Sequence, residues 1–533
     1  MISSKIETKL IYSLLFAVLI CVFLFFTIGS ILKGHFSVTY DEPSHFRYGE
    51  MIYQGSTTRF DDSKMPASAL NIIPGKVADK VFGVKFSDYD DLIKIGRIST
   101  ALISLLLGFL CYFWASNLYG KFVGLIAFFL FVFEPNIIAH SQLVTTDIYA
   151  AASVTLALFF TWRFLELPNF QRGWLLGLAV GLCQISKYSG VLIIPAVALL
   201  TLIRYGKSLI VSLKRREVFW PVMWKSIGYT ALIALTALFV INIAFYFDRS
   251  GTALREYQFQ SVFFNSLQNK FPRASRLPIP LPYSYLQGLD AVLFRERSGG
   301  GHGPIYLLGN LSGNGFLGYY IIASFLKIPI PILVFFFVSL WDWVRSFQSK
   351  EFVSKEMYLL LPALLYSLYF NFFNQAQIGI RFYLVIFPVF IIFSARIFCK
   401  WRNFSRKGKF LFLLAGSFLL ISVFSYYPDY ISYFNEIVFN RDTAYRYLAD
   451  SNLDWGQNDE DLKEFINQNP DFQLNPTAPT PGKIIVGTNQ YLGILGSPEN
   501  YRWLRDQFKP TDTFQQTHLI FDIPQSNLEE SIQ

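Results

Sequence analysis

Charge is scarce in this 533-residue chain: only 16% of residues are Asp, Glu, Lys or Arg, against 53% hydrophobic and 18% aromatic. That excludes an ordinary soluble enzyme, which carries about a quarter of its residues as charges on a water-facing surface. Cysteine is rarer still. Cys21, Cys111, Cys183 and Cys399 all fall in or at the edge of apolar runs, with no spacing suited to zinc or a disulfide framework, so packing is their expected role. Low-complexity tracts, internal repeats and matched pairs of broken helices are missing too, which argues against an inverted-repeat transporter. The first apolar run, 10–32, has no small-residue cleavage site behind it and reads as a retained anchor.

Long apolar runs are what the chain has in abundance. Residues 10–32, 98–118, 122–139, 148–162, 174–186, 188–203, 227–247, 316–340, 357–373, 382–397 and 410–427 predict about eleven membrane spans of a mainly α, polytopic protein. The net charge of +9 does not point to nucleic acid, because the basic residues bunch in short connectors such as "RYGKSLIVSLKRRE", "RSFQSKEFVSKE" and "KWRNFSRKGK". With Lys5 and Lys9 inside, these connectors all fall on the cytoplasmic side. A multi-pass protein of the cell membrane follows, its N-terminus in the cytoplasm. On the outer side this leaves a first loop, 33–97, the short "HSQLVTTD", a long loop, 248–315, the segment "NQAQIGIR", and a polar tail. The tail carries strand-like "KIIVGTN" and "THLIFDI" after a helical "DEDLKEFINQ". The expected organisation is a membrane domain over 1–428 and a small extracytoplasmic α/β domain over 429–533.

Ionisable residues at the outer mouths of spans are the candidates for chemistry. Asp41, Asp147 and Lys187 are distant in sequence yet share one level, where charge is costly unless it faces a cavity and finds partners. Pro43 fits the first turn of a helix through "SHFRYGEMIYQ", with Asp41 and Glu42 at its N-terminus and His45 one turn on. Capping explains Asp41 and Asp147 as well as function does, and snorkelling would explain Lys187. Arg97, Lys327 and Arg381 repeat the theme of one cation near the outer end of a span, together suggesting positive charge around a phosphate. His140 is a lone imidazole at a helix end. The acidic "DYDD" at 88–91 reads as a solvated loop, and the glycine-rich segment around His302 as a lid or a mobile loop.

Several ordered motifs, "DEPSHF", "AHSQLVTTD", "SKYSGVLIIP", "YLLGNLSGNGFLGYYIIASFLKIPIP", "GIRFYLVIFP", "YISYFNE" and "ADSNLDWGQ", resemble those of bacterial protein mannosyltransferase-like glycosyltransferases of the GT-C fold. The resemblance implies a polyprenyl-phosphate sugar donor in the membrane lipid and transfer on the extracytoplasmic face. It implies Asp41 as the essential first-loop aspartate, Glu42 as its partner, Asp147 as the second acidic site and Lys187 near the donor phosphate. Arg381, Arg97 and Lys327 follow as further phosphate ligands, and His45, His140 and His302 as substrate-binding residues. The acceptor, whether glycolipid, glycan or protein, is left open, and no metal or other cofactor is expected. A flippase for the same lipid-linked sugar, and a non-catalytic partner in envelope assembly, are the alternative readings.

Overall fold

The computed structural model describes all residues except 1, 58, 60, 62, 214, 215, 299–302 and 526–533. Among the described residues, seven helices are long and apolar enough to cross a membrane: Leu10–Lys33, Tyr89–Tyr119, Asp147–Glu166, Tyr188–Gly206, Trp220–Ala244, Ile380–Asn403 and Arg406–Phe424. Two broken pairs raise the number to nine. Lys121–Val132 and Pro135–Ser141 meet at 64°, and Tyr319–Lys327 and Ile330–Arg345 at 117°. Both breaks have a local cause, since Pro135 opens one new helix and Pro329 and Pro331 flank Ile330, the first residue of the other, and a proline cannot donate into the preceding turn. The expectation of about eleven spans is therefore not met on length: the helices Phe170–Ser186 and Met357–Phe372 have only 17 and 16 residues, short of the roughly 20 that cross a hydrocarbon core.

Small residues draw the helices together. Gly177 and Gly181 on Phe170–Ser186 lie so close to helix Arg216–Ala244 that a Cβ would meet Thr236 at 2.7 Å and Val240 at 2.6 Å. This is the close backbone approach that small residues four apart permit between membrane helices. At the end of the bundle remote from the tail, Arg396 bridges Asp342 at 2.8 Å and Glu356 at 3.2 Å, and Lys400 also pairs with Asp342. Cys111 and Cys183 are buried and all four cysteines are free.

The other end carries the loops and the tail. The first loop folds into helix Glu42–Tyr53, a 3-10 stretch Pro66–Ile72 and helix Ile73–Phe82. The long loop contains helices Val262–Lys270 and Tyr283–Ser298 and a hairpin of Ile305–Leu307 with Asn310–Ser312. In the tail, helix Asp459–Gln468 precedes a four-stranded sheet ordered Phe472–Leu474, Gly482–Gly487, His518–Ile523, Asp512–Phe514. The first pair is parallel and the rest antiparallel, with Ile484 opposite Phe521. Its inner face is apolar, with Ile484, Val486, Leu519 and Phe521 all at most 1% exposed, and Ile485, on the opposite face, is buried as well. The composition boundary at 428/429 is no break in packing: Tyr430, Tyr433, Leu448 and Leu453 belong to the same buried cluster as Phe23, Trp114 and Phe131.

Candidate active site

Between the helix ends and the tail lies a cavity of about 760 Å³, lined by Asp41, His45, Asp147, Lys187 and Arg381 among others. Four separate chain segments deliver these groups. Asp41 occupies the position before helix Glu42–Tyr53, but its carboxylate makes no capping hydrogen bond. It accepts instead from Arg381 Nη1 at 2.6 Å. Asp147 opens helix Asp147–Glu166 and accepts from Lys187 Nζ at 2.5 Å. Neither carboxylate is spent on helix capping, which disposes of that explanation for both.

The two cations are held by geometry as well as charge. Arg381 follows a turn at Gly379, whose φ of +77° and 2.4 Å separation between its would-be Cβ and Ser451 Oγ admit no side chain. Asn452 Oδ1 accepts from the Ile380 N–H at 2.9 Å and fixes that turn to the tail. The Arg381 guanidinium then stacks 4.1 Å from the Trp455 ring, while Lys187 Nζ sits 3.9 Å from the ring of Phe382. Such cation–π contacts steady cations that are already half desolvated. Burial acts to raise the Asp41 carboxyl, but the charge and hydrogen bond of Arg381 outweigh it and hold it below the ordinary carboxylate range. His45 faces the same cavity, its Nδ1 3.4 Å from Ser68 Oγ, and burial pushes it down to about 4.

Glu42 and Arg97 are not in this cavity. Both are at most 1% exposed, and they form a bidentate pair with Nε–Oε1 and Nη2–Oε2 separations of 2.8 and 2.7 Å. Arg97 also donates to the carbonyls of Phe36 and Ser37, and Glu42 accepts from the N–H groups of Thr39 and Val144. The expectation that Arg97 binds a donor phosphate gives way to a structural one, because its guanidinium is consumed by Glu42 and two carbonyls. Glu42 likewise cannot touch a substrate. Glu42, the first residue of the helix that follows Asp41, is thereby tied to Val144 in the turn before Asp147, and so sets the spacing of the two cavity-lining carboxylates.

Lys327 is corrected in the same way. It is 1% exposed, and its Nζ donates to the Ile431 and Asn452 carbonyls at 2.8 and 2.6 Å. It clamps the tail onto the 117° bend rather than facing the cavity. His140 is also buried outside the cavity lining, 6.0 Å from the Trp455 ring. His302 lies outside the described residues. In "DYDD", Asp88 caps helix Tyr89–Tyr119 through Asp90 N at 3.1 Å, and Asp90 reaches the cavity rim. Among the described residues, no three His, Cys, Asp or Glu side chains gather as metal ligands would.

Sequence reasoning passed over the tail's contribution. Asp450, Asp454, Trp455, Asp459, Asn489, Gln490 and His518 complete the cavity wall. The signal was present in "ADSNLDWGQND", an acidic and aromatic run in a stretch rich in buried residues, yet no periodicity says that a tail folds back onto the helix ends.

Comparison with known proteins bears on the helical part. Residues 83–254 match the family model described as dolichyl-phosphate-mannose-protein mannosyltransferase, a stretch that contains Asp147 and Lys187. No curated protein matches the chain. Among solved structures, the chain is similar to the apo oligosaccharyltransferase of Archaeoglobus fulgidus, at 16% identity and TM-score 0.46, over 86% of this chain and 58% of that one. In the form tethered to an acceptor peptide, the same archaeal protein is 12% identical at TM-score 0.45, and the chain spans 54% of its length. ArnT from Cupriavidus metallidurans bound to undecaprenyl phosphate is 13% identical at TM-score 0.29, over 95% of this chain and 97% of that one. The protein is thus a polytopic helical membrane protein with a polar cavity at one end of its helices. The segment that matches the mannosyltransferase family model supplies one carboxylate and one cation of that cavity.

Proposed function

We propose that the chain is an integral membrane glycosyltransferase that moves a sugar from a polyprenyl-phosphate donor to an acceptor hydroxyl on the extracytoplasmic face. The observation that carries this reading is the convergence of Asp41, Asp147, Lys187 and Arg381, from four separate segments, on one cavity. Transfer from a sugar phosphate develops positive charge at the anomeric carbon, and the phosphate leaves as a stable anion, so one base and well-placed cations suffice. Asp41 takes the proton of the acceptor hydroxyl, a contribution of about 10²- to 10⁴-fold. Lys187 and Arg381 neutralise the phosphate.

Both cations already hold a carboxylate in the cavity. An incoming phosphate competes for Arg381, and a guanidinium turned toward it leaves the Asp41 carboxylate more basic than in the pair. The lipid chain has a place to go as well. An apolar groove of about 300 Å³ is lined by Phe336, Phe390 and Tyr383 among others, and Phe382, the residue before Tyr383, lines the polar cavity. Consecutive residues thus border the polar and apolar compartments, as a lipid with a charged head requires. Asp41→Asn in purified protein should bind the donor and fail to transfer sugar; full transfer by that variant would remove the assigned base. No metal enters this mechanism, and transfer is expected to be unchanged by EDTA.

A further inference from the structure

The two walls of the cavity differ in charge. Lys187 and Arg381 stand on the helix side, whereas the tail side presents Asp450, Asp454, Asp459, Asn489, Gln490, Ile494, Leu495 and His518, with no Lys or Arg. A phosphate is repelled from such a wall. The tail side is also built yet unspent. His518 is 5% exposed and uses Nδ1 on Thr517 Oγ1 at 3.0 Å, with no hydrogen bond at Nε2 among the described residues. Asp454 is 9% exposed and uses Oδ1 on the Gly456 N–H at 3.1 Å, leaving Oδ2 without a partner among the described residues. Gln490 Oε1 has none either. Asn489 locks this arrangement by accepting from Asp450 N at 2.8 Å and donating to the Asp454 carbonyl at 3.0 Å. Beside them Leu495 stays 53% exposed, an apolar surface next to convergent polar groups.

We infer that the tail wall is a subsite for a neutral polyhydroxyl ring, the acceptor sugar, held by Asp450, Asp454, Gln490 and His518 and floored by Ile494 and Leu495. Hydroxyls donate to the two carboxylates and to His518 Nε2, while the C–H face of the ring covers Leu495. Which substrate this subsite receives rests on the reading above, since it is the donor phosphate that claims the opposite wall. The tail is then part of the active site rather than an appended module, and it selects the acceptor.

The test is saturation-transfer NMR on the purified full-length chain in a detergent without a sugar headgroup. The probes are methyl glycosides of glucose, galactose, mannose and N-acetylglucosamine, with farnesyl phosphate as the probe for the other wall. Glycoside signal is expected in the parent protein and should fall at least about fivefold, the worth of one hydrogen bond, in Asp454→Ala and in His518→Ala. Gln490→Ala, whose side chain holds nothing in the fold, is the companion should either variant fail to fold, and it should weaken the same signal. Lys187→Met should instead weaken farnesyl phosphate and spare the glycosides. No glycoside signal in the parent, equal signal in all variants, or displacement of the glycosides by equimolar ethanolamine would overturn the inference. Farnesyl phosphate binding that ignores Lys187→Met sinks the donor reading and leaves the glycoside result to be judged alone.

Discussion

Replacing Arg97 with Met separates a phosphate ligand from a structural clamp. The substitution leaves the Glu42 carboxylate fully buried without its cation, which costs about 3–5 kcal/mol. The carbonyls of Phe36 and Ser37 lose their donors as well, at about 0.5–1.5 kcal/mol each. The total of about 4–8 kcal/mol lowers the ratio of folded to unfolded protein by about a thousandfold or more. Unfolding in SDS-containing mixed micelles, followed by tryptophan fluorescence, should therefore shift strongly. The double variant Glu42→Gln with Arg97→Met should recover part of the loss, because a neutral amide at 42 no longer strands a buried charge and its oxygen still accepts from Val144 N. An Arg97→Met protein within about 1 kcal/mol of the parent, or a double variant no better than the single, would refute the argument. A phosphate ligand would behave differently, weakening donor binding with the stability of the empty protein unchanged.

The Asp147–Lys187 pair should show the same non-additivity: Asp147→Asn and Lys187→Met each destabilise, by less than the about 3–5 kcal/mol of a fully buried pair because both line the cavity, and together cost less than their sum in a double-mutant cycle. Gly379→Ala should cost about 1–3 kcal/mol through its left-handed φ and raise the KM for donor by displacing Arg381; unaltered donor kinetics would show that the turn does not position the guanidinium. Stability should depend on pH through His45 and His518, each pushed by burial from 6.5 down to about 4. Between those values the unfolded chain takes up protons that the folded chain refuses, so stability is full above pH 6.5 and falls as the pH drops toward 4, by about 3 kcal/mol per imidazole. Asp454 runs the other way. Burial pushes it up from 3.8 to about 7, so its contribution is present at low pH and lost as pH rises through 7. Asp454→Asn should thus stabilise the protein relative to the parent by clearly more at pH 8 than at pH 5, and an equal effect at both values would contradict the assignment.

Apolar runs made the helices legible, since length and hydropathy are local properties of the chain. All eleven runs fall on helical segments, and the miscount of spans arises where Pro135, Pro329 and Pro331 bend a run or where a helix stops at 16 or 17 residues. The candidate charges were readable too, because a lone Asp, Lys or Arg beside an apolar run is conspicuous whatever it does. Their duties were not. Arg97, Lys327, Lys187 and Arg381 look alike in sequence, each a single cation near the end of a span. Two are buried in hydrogen bonds to carbonyls or to Glu42, and two face the cavity.

Composition and periodicity alone settled that the chain is a helical membrane protein, because removing this much apolar surface from water leaves no other solution. They also placed the polar groups near one level. Which cations remain available to a ligand depends on partners 40 to 340 positions away in the chain, a distance that no local pattern encodes. The same holds for the tail: its fold was audible in alternating residues, but its closure over the helix ends comes from long-range contacts such as Lys327 to Asn452 and Lys94 to Glu460.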